Sequence, residues 1–532
     1  MTSRLALLLV LAACAPEASV PLGGGAQDVV TGIQVTPAPP RLARLSRVQV
    51  TNAVRDTLGP ELVVPAGLEP DTPSGGLVAV GATVATLSKR GVEQSFDAAL
   101  SLASQAVANV AVRARVRTCD PATDGCIASI VKAWGLRLWR RPLSDEEVAT
   151  LATIGEQAQS ALGGDGGVEL VLATLLASPH FLYRVELGEP SPDGGPPRYT
   201  GYEMAARLAL LLWNTVPDDA LLEAAARGDL TDALPSVVEG MLKDPRTRQG
   251  VRAFFADWLG LAELDQLGKD PTVFEQFSAD LGPAAREETL RLVERVIFDR
   301  RTDVRELFTT RETYVTPRLA AIYDVPAPDP DGFGLVELPS EGARAGILGH
   351  VSFLAPHAHP TSSSATKRGV ALRQRILCQT MPSPPSELNT AIPEPSPDAL
   401  TLRDRLEAHR LDPACASCHD MMDPPGYGFE VFDGLGRFRL LDNGAPIDPS
   451  GELDGVPFDG ARTLVEAVAA HPDLMPCIAR TAWRYAVNRE ETPGERAQLD
   501  AIATSFAAEG RFERLLFDIA TSPAFRRVGE AP

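Results

Sequence analysis

Apolar residues recur at helical spacing in one segment after another of this 532-residue chain, and this periodicity most limits the folds open to it. Residues 41–59 carry one such series, which stops at a Gly-Pro pair: Leu42, Leu45, Val48, Val54 and Leu58. Residues 202–213 are apolar apart from Glu203 and Arg207, which is typical of a mostly buried helix. Strand-like alternation is scarce and is clearest at residues 334–338. The predicted fold class is therefore mostly α.

The overall charge limits the partners of the chain. Lys and Arg number 50 against 70 Asp and Glu, which gives a net charge of −20. Binding to nucleic acid needs clustered Lys and Arg to meet the phosphates, so we expect no nucleic-acid partner. The same excess of negative charge disfavours binding to an anionic lipid surface.

One short run carries most of the chemistry. Cys415 and Cys418 are followed directly by His419, which is the Cys-x-x-Cys-His pattern of c-type haem attachment. Two thiols about one helical turn apart can each add to a vinyl group of the porphyrin, and the adjacent histidine can present a ring nitrogen to the iron. The sequence therefore predicts covalent haem c (an iron cofactor) on Cys415 and Cys418, with His419 as an axial ligand.

The first residues predict export, and an exported compartment is where bacteria attach haem c. Residues 1–13 contain one arginine and an apolar stretch too short to cross a bilayer, as in a secretory signal peptide. Residues 11–14 read Leu-Ala-Ala-Cys and resemble a bacterial lipobox, in which Cys14 is acylated. An ordinary signal peptide with an incidental cysteine is the alternative. With Ala15 next, we expect an outer-membrane lipoprotein that faces the periplasm or the cell surface and is held by its lipid anchor only.

Four further cysteines are expected to form disulfides, since an oxidising compartment favours them. Cys119 and Cys126 bracket a loop of turn-forming residues, so we expect them to pair. Cys378 and Cys477 then pair by elimination. Buried free thiols are the alternative.

The sixth iron ligand is less constrained than the fifth. Met475 precedes a predicted helix late in the chain, as the ligand methionine does in small class I cytochromes, and it is the candidate sixth ligand. His471, His357 and His359 compete with it. An open sixth position would instead suggest chemistry with peroxide or oxygen.

Other residues are candidates for further roles, some close to the haem run and some distant from it. Asp423-Pro-Pro-Gly426 predicts a turn that folds the chain over the haem face. His419 should donate its second ring N–H to a carbonyl or a carboxylate, and a carbonyl near Pro424 is one candidate. Arg437 and Arg439 could pair with haem propionates, with an ordinary surface role as the alternative. His357 and His359 could bind a metal, although histidines in a loop are more often solvated.

Several runs resemble secreted multi-module proteins of planctomycetes and myxobacteria that carry planctomycete cytochrome C-like domains and whose function is unknown. The matching runs follow the family's order and are residues 44–47, 51–59, 139–147, 175–184, 212–219, 244–246, 344–348, 415–419, 423–430, 432–437, 458–460 and 484–489. The resemblance covers most of residues 40–530. It implies an exported redox protein and leaves the substrate and the reaction open.

The resulting organisation has six parts: a lipoprotein signal peptide at 1–14, a flexible tether at 15–40, N-terminal helical modules at 41–160, a central helical module at 165–310, a small cytochrome c-like helical module at 340–445 and a C-terminal helical module at 450–530. The glycine-rich residues 163–167 are expected to be a linker. No catalytic residue is assigned.

Two function classes remain. The first is a lipid-anchored haem protein that transfers electrons or oxidises an unknown substrate, as a haem-dependent oxidoreductase would, with an unknown redox partner. The second is a lipoprotein that binds or scaffolds surface polymers, with the Cys-x-x-Cys-His run used for a disulfide or a metal site. Zinc would need a fourth ligand, and the run lacks a second ligand pair at finger spacing.

Overall fold

The computed structural model describes residues 33–84, 86–192, 194–381, 394–411 and 413–530. The predicted signal peptide with Cys14, and the predicted tether as far as residue 32, lie outside the described residues.

Helices make up most of the described chain, which confirms the mostly α class. The N-terminal part contains α1 (Arg47–Thr57), α2 (Val78–Val84), α3 (Lys89–Ala108), α4 (Val110–Val116), α5 (Cys126–Trp139), α6 (Asp145–Leu162), α7 (Gly166–Ala177) and α8 (Pro179–Leu182).

The central part contains α9 (Gly201–Leu212), α10 (Asp219–Arg227), α11 (Asp229–Asp232), α12 (Leu234–Lys243), α13 (Arg246–Trp258), α14 (Leu281–Glu294), α15 (Glu306–Thr309) and α16 (Pro317–Tyr323). A 3₁₀ turn at Leu261–Gln266 precedes α14, and a π-helical turn at Arg295–Arg300 extends it.

The remaining helices are α17 (Val351–Leu354), α18 (Ala365–Ala371), α19 (Leu402–Arg410), α20 (Pro413–Tyr427), α21 (Ala461–Ala470), α22 (Leu474–Val487), α23 (Arg496–Glu509), α24 (Phe512–Thr521) and α25 (Pro523–Arg526). Short 3₁₀ turns lie at Ile347–Gly349 and Pro493–Glu495, and a π-helical turn at Leu372–Ile376 extends α18.

Strands are short and form antiparallel pairs: β1 (Ala43–Arg44) with β2 (Tyr183–Arg184), β3 (Glu312–Val315) with β4 (Gly334–Glu337), β5 (Leu441–Asp442) with β6 (Ala445–Pro446), and β7 (Gly451–Leu453) with β8 (Val456–Phe458). The β4 strand coincides with the stretch whose alternation is clearest, residues 334–338.

The helix starts follow from local chemistry. Ser144 and Glu147 form the capping box at the start of α6 that the sequence predicts, since each side chain accepts a hydrogen bond from the other residue's backbone N–H. The same reciprocal pair begins α1 with Ser46 and Gln49.

The glycines at 163–167 do not form an inter-module linker. Gly163 and Gly164 adopt positive φ angles of 65° and 56° and form the turn between α6 and α7, which pack against each other. A Cβ on Gly167 would lie 2.6 Å from the carbonyl oxygen of Gly155, so the two helices touch through their backbones. The glycines therefore serve a tight helical hairpin.

The hydrophobic core crosses the predicted modules. One cluster of buried side chains joins Val80 of α2, Phe254 of α13, Phe429 just after α20 and Phe517 of α24. A second cluster lies among the N-terminal helices, and a small one formed by Ala365, Leu402, Leu406 and Tyr427 lies under α20. The cytochrome-like segment is therefore packed into the rest of the molecule.

Candidate haem-attachment site

The Cys-x-x-Cys-His run lies in the first half of α20. Residues three and four apart share one face of a helix, so Cys418 and His419 both lie on the face of Cys415. Cys415 is buried, Cys418 is half-buried, and neither sulfur is in a disulfide. The helix therefore presents two thiols and an imidazole together.

A buried carboxylate orients the histidine. His419 Nδ1 lies 2.8 Å from Oδ2 of Asp423, one helical turn further along α20. The Asp423 side chain is 0% exposed, and that of His419 is 17% exposed. Because a carboxylate only accepts, Nδ1 carries the proton and donates, and Nε2 carries the lone pair that would bind iron.

The second oxygen of that carboxylate is also held. Thr366 Oγ1 on α18 donates to Asp423 Oδ1 at 2.7 Å. The hydroxyl reaches because α18 and α20 cross closely: a Cβ on Gly369 would lie 1.7 Å from the carbonyl oxygen of Met422, and one on Gly426 would lie 2.0 Å from that of Ala365. Both oxygens of Asp423 therefore have fixed partners.

The prediction of a turn at residues 423–426 is wrong, because α20 runs through Pro424 and Pro425 and ends at Tyr427. A proline has no N–H, so Pro425 leaves the carbonyl of Met421 without its helical donor. The Nε of Arg373 donates to that carbonyl instead. The substitute donor, together with the hydrogen bonds that hold Asp423, stabilises a helix that two prolines would otherwise end.

The preceding helix supports α20 from a second side. Arg410 on α19 donates to Asp420 at 2.7 Å, and the guanidinium of Arg403 lies 4.8 Å from the centre of the Tyr427 ring. A cation over an aromatic face stabilises both groups. These contacts fix α19 against the middle and the C-terminal end of α20.

A hydrogen-bonded network joins the motif helix to the C-terminal module. The same Arg373 that serves Met421 forms an ion pair with Asp454 at 2.9 Å, and His471 Nε2 lies 3.0 Å from the other oxygen of Asp454. Gln379 donates to Asp454 and to Asp473, each at 3.0 Å. Burial raises the pKa of Asp454, but hydrogen bonds from Gln379, Arg373 and His471 outweigh it and lower the pKa below its ordinary value.

Met475 lies in the first turn of α22 and not before that helix, as the sequence had suggested. Its side chain is 2% exposed and belongs to the large shared core. Asp473, two residues earlier, donates its backbone N–H to Nδ1 of His471 at 3.1 Å. The role of Met475 as sixth ligand stays a prediction, and His471 remains a competitor.

His357 and His359 have separate partners. His357 Nδ1 lies 2.7 Å from the carbonyl oxygen of Phe353, and burial lowers the pKa of His357 to about 4. His359 Nδ1 lies 3.3 Å from Nζ of Lys367, and the pKa of His359 is lowered, first by burial and then by Lys367 and Lys269. Both imidazoles are therefore neutral near pH 7.

The two arginines considered for the propionates differ. Arg439 is half-buried and donates to Glu430 at 3.0 Å and to Asp442 at 2.9 Å. Arg437 is exposed in the turn after α20, where its backbone N–H donates to Asp433. Arg439 therefore already has two carboxylate partners, Glu430 and Asp442, and neither forms an ion pair with Arg437.

Both expected cysteine pairs are disulfides in the structure. Cys119 and Cys126 are joined over a separation of 7 residues, and Cys378 and Cys477 over a separation of 99. The second bond connects Cys378, two residues after the π-helical turn that extends α18, to α22, next to Gln379 of the network described above.

Sequence reasoning missed Asp423, Thr366 and Arg373. Asp423 is four residues after His419, a spacing that would have identified it had the prolines not suggested a turn. Thr366 and Arg373 lie far away in the chain, and no local pattern marks them.

The donor set fits a c-type haem. Among the residues that the structure describes, no group of three or more His, Cys, Asp and Glu side chains is arranged to hold a metal ion. A c-type haem does not need such a group, because two thioether bonds and one histidine hold it. Two thiols in reduced form and an imidazole with a fixed tautomer are what that attachment uses.

Five models of protein families of unknown function match the chain in series: DUF1587 at residues 43–108, DUF1595 at 126–186, DUF1592 at 199–325, DUF1588 at 344–442 and DUF1585 at 454–525. Together they make up the planctomycete cytochrome C-like multi-module family. The chain belongs to this family. The DUF1588 range contains α18, α20 and the whole His419–Asp423–Thr366 arrangement, and the DUF1585 range contributes Asp454 and His471.

The family's function is unknown, and its cytochrome C-like character suggests a cytochrome-like role. No curated protein and no solved structure matches the chain significantly. In the described ranges, every helix is either too short or too polar to cross a membrane.

Proposed function

We propose that this protein is an exported, lipid-anchored c-type haem redox protein, which transfers electrons or oxidises a substrate. The observation that carries the proposal is the common face of α20, where Cys415, Cys418 and His419 lie together as two reduced thiols and an oriented imidazole. The family's cytochrome C-like character supports it.

The two cysteines attach the cofactor. Each thiol adds across one vinyl group: the S–H bond breaks, an S–C bond forms, and the hydrogen goes to the neighbouring vinyl carbon. No oxidant is consumed, but both thiols must be reduced, as Cys415 and Cys418 are here.

When bound, haem iron supplies one-electron chemistry by cycling between its ferric and ferrous states. His419 would hold the iron through Nε2, and the hydrogen bond from Nδ1 to Asp423 holds the ring in the orientation this needs. The contacts of α18 and α19 keep α20 in place while the charge of the site changes. We assign no catalytic residue.

The location rests on the sequence. The lipobox-like run that ends at Cys14 supports a lipid anchor, and the predicted tether would hold the body away from the membrane. A Cys14→Ser variant should move from the membrane fraction to the soluble envelope fraction after export. An unchanged fractionation of that variant would contradict the anchor.

The test of the proposal is the reduced-minus-oxidised visible spectrum of full-length protein exported from a host with haem c maturation. We expect a sharp α-band that is lost in a Cys415→Ala/Cys418→Ala variant, and haem that stays on the wild-type polypeptide after denaturation. A Cys119→Ala/Cys126→Ala variant is the matched control, because it removes two cysteines outside the motif and should keep the band. Colourless wild-type protein would contradict the proposal and leave the surface-binding function.

A further inference from the structure

Asp423, the hydrogen-bond partner of His419, is buried and has a hydrogen-bond partner on each of its two oxygens. Asp423 is 0% exposed, and its two oxygens accept from His419 Nδ1 at 2.8 Å and from Thr366 Oγ1 at 2.7 Å. The backbone contacts at Gly369 and Gly426 show that the two helices that carry these groups lie in direct contact. The carboxylate is therefore fixed in position on both sides.

A carboxylate partner has a stronger effect on a ligating histidine than a neutral carbonyl has. It polarises the Nδ1–H bond and makes the imidazole a more basic ligand. A more basic ligand, and a negative charge kept out of water close to the iron, both favour the ferric state over the less positive ferrous state. Each effect lowers the reduction potential.

We propose that Asp423, held by Thr366, is the positioning residue that orients His419, strengthens its bond to the iron and gives the haem a low reduction potential. This inference rests on the proposed function, since it requires haem on Cys415 and Cys418. It goes beyond that function because it assigns the site to the low-potential class of c-type haems. Methionine ligation at the sixth position would act in the opposite direction.

The test is a redox titration of full-length, haem-loaded protein. In an Asp423→Asn variant the amide still accepts a hydrogen bond but carries no charge, so the potential should rise. A Thr366→Val variant removes the hydroxyl that holds the other oxygen and should shift the potential by a smaller amount. Haem content, measured as the pyridine haemochrome of the denatured protein, should equal that of the wild type in both variants.

Asp420→Asn is the matched control. It removes the same charge from the same helix, but Asp420 is 55% exposed and pairs with Arg410. The reduction potential of the Asp420→Asn variant should stay close to that of the wild type, because water screens the lost charge. This control separates an effect through the ligand from a general change of charge near the haem.

The outcomes are distinguishable. An Asp423→Asn potential equal to that of the wild type or of Asp420→Asn, with haem attached, would overturn the inference and leave the proposed function intact. Should Asp423→Asn fail to fold, the Thr366→Val variant decides, and an unchanged potential there overturns the inference. Wild-type protein without haem would instead contradict the proposed function itself.

Discussion

Glu288 shows how a single buried residue makes stability depend on pH. It lies on α14 with 0% exposure and accepts hydrogen bonds from Thr313 Oγ1 and Tyr323 Oη, each at 2.8 Å. Burial raises the pKa of Glu288 to about 8. His350 lies 3.5 Å away, and burial lowers the pKa of His350 to about 3. Both groups are therefore uncharged in the folded protein at neutral pH.

The sign of the Glu288 effect follows from proton binding. The unfolded chain releases this proton near pH 4.5, whereas the folded protein keeps it until about pH 8, so the unfolded state binds fewer protons between these values. Stability should fall as the pH rises through this window. Below pH 6.5 the unfolded chain binds a proton at His350 that the folded protein does not bind, which makes stability rise with pH. The effect of Glu288 is therefore best isolated between pH 6.5 and about 8.

We predict that Glu288→Gln removes most of this dependence. Between pH 6.5 and about 8, the wild-type free energy of unfolding should fall with a slope of at most about 1.4 kcal/mol per pH unit relative to the variant. Denaturant unfolding at several pH values measures it. Glu287→Gln is the matched control at the neighbouring, partly exposed carboxylate. Its free energy of unfolding should vary with pH as that of the wild type does. The same pH dependence of the free energy of unfolding in Glu288→Gln and the wild type would contradict the raised pKa of Glu288.

At the scale of single residues, the sequence identified those whose role depends on local spacing. The run of Cys415, Cys418 and His419 is readable because haem attachment needs those residues side by side. Asp423 was missed because a helix was not expected to continue through Pro424 and Pro425, and Thr366 was missed because only the folded chain brings it near Asp423.

The crossing of α18 and α20 is the element that positions the site. A Cβ on Gly369 would meet backbone at 1.7 Å, and a backbone neighbour cannot rotate away as a flexible side chain can. Glycine is therefore required here for close approach and not for a special φ angle.

We predict that Gly369→Ala lowers the free energy of unfolding by about 1–3 kcal/mol, the usual cost of overpacking, as measured by urea unfolding. Gly240→Ala is the matched control, because Gly240 lies within α12 and a Cβ there would meet nothing within 4 Å. That control should be neutral or stabilising by about 0.5–1 kcal/mol. Equal effects of the two substitutions would contradict the close crossing.

Helices as elements were well predicted, because their apolar faces and capping residues are local signals. The start of α6 at Ser144 is an example. Their ends and their packing were less predictable. The glycines at 163–167 carry the composition of a linker, yet tertiary contacts between α6 and α7 make them a hairpin turn.

At the scale of the whole molecule, the family's segments share a core. Side chains of the DUF1592, DUF1588 and DUF1585 ranges meet in one buried cluster, and the disulfide Cys378–Cys477 joins the last two ranges. The motif helix is therefore held by contacts that come from distant parts of the chain.

We predict that the two disulfides differ in their contribution. Loop-closure entropy gives about 4.7 kcal/mol for the 99-residue separation of Cys378 and Cys477, against about 2.4 kcal/mol for the 7-residue separation of Cys119 and Cys126. Cys378→Ser/Cys477→Ser should therefore lower the urea midpoint further than Cys119→Ser/Cys126→Ser. The reverse order would contradict the role of the long-range bond as the main covalent cross-link.

The most direct measurement of the central claim is the intact mass of the denatured, exported protein, followed by a peptide map. The account predicts a mass gain of one haem, carried by the peptide that contains Cys415, Cys418 and His419. A mass without haem, or a peptide in which Cys415 and Cys418 are joined in a disulfide, would contradict it.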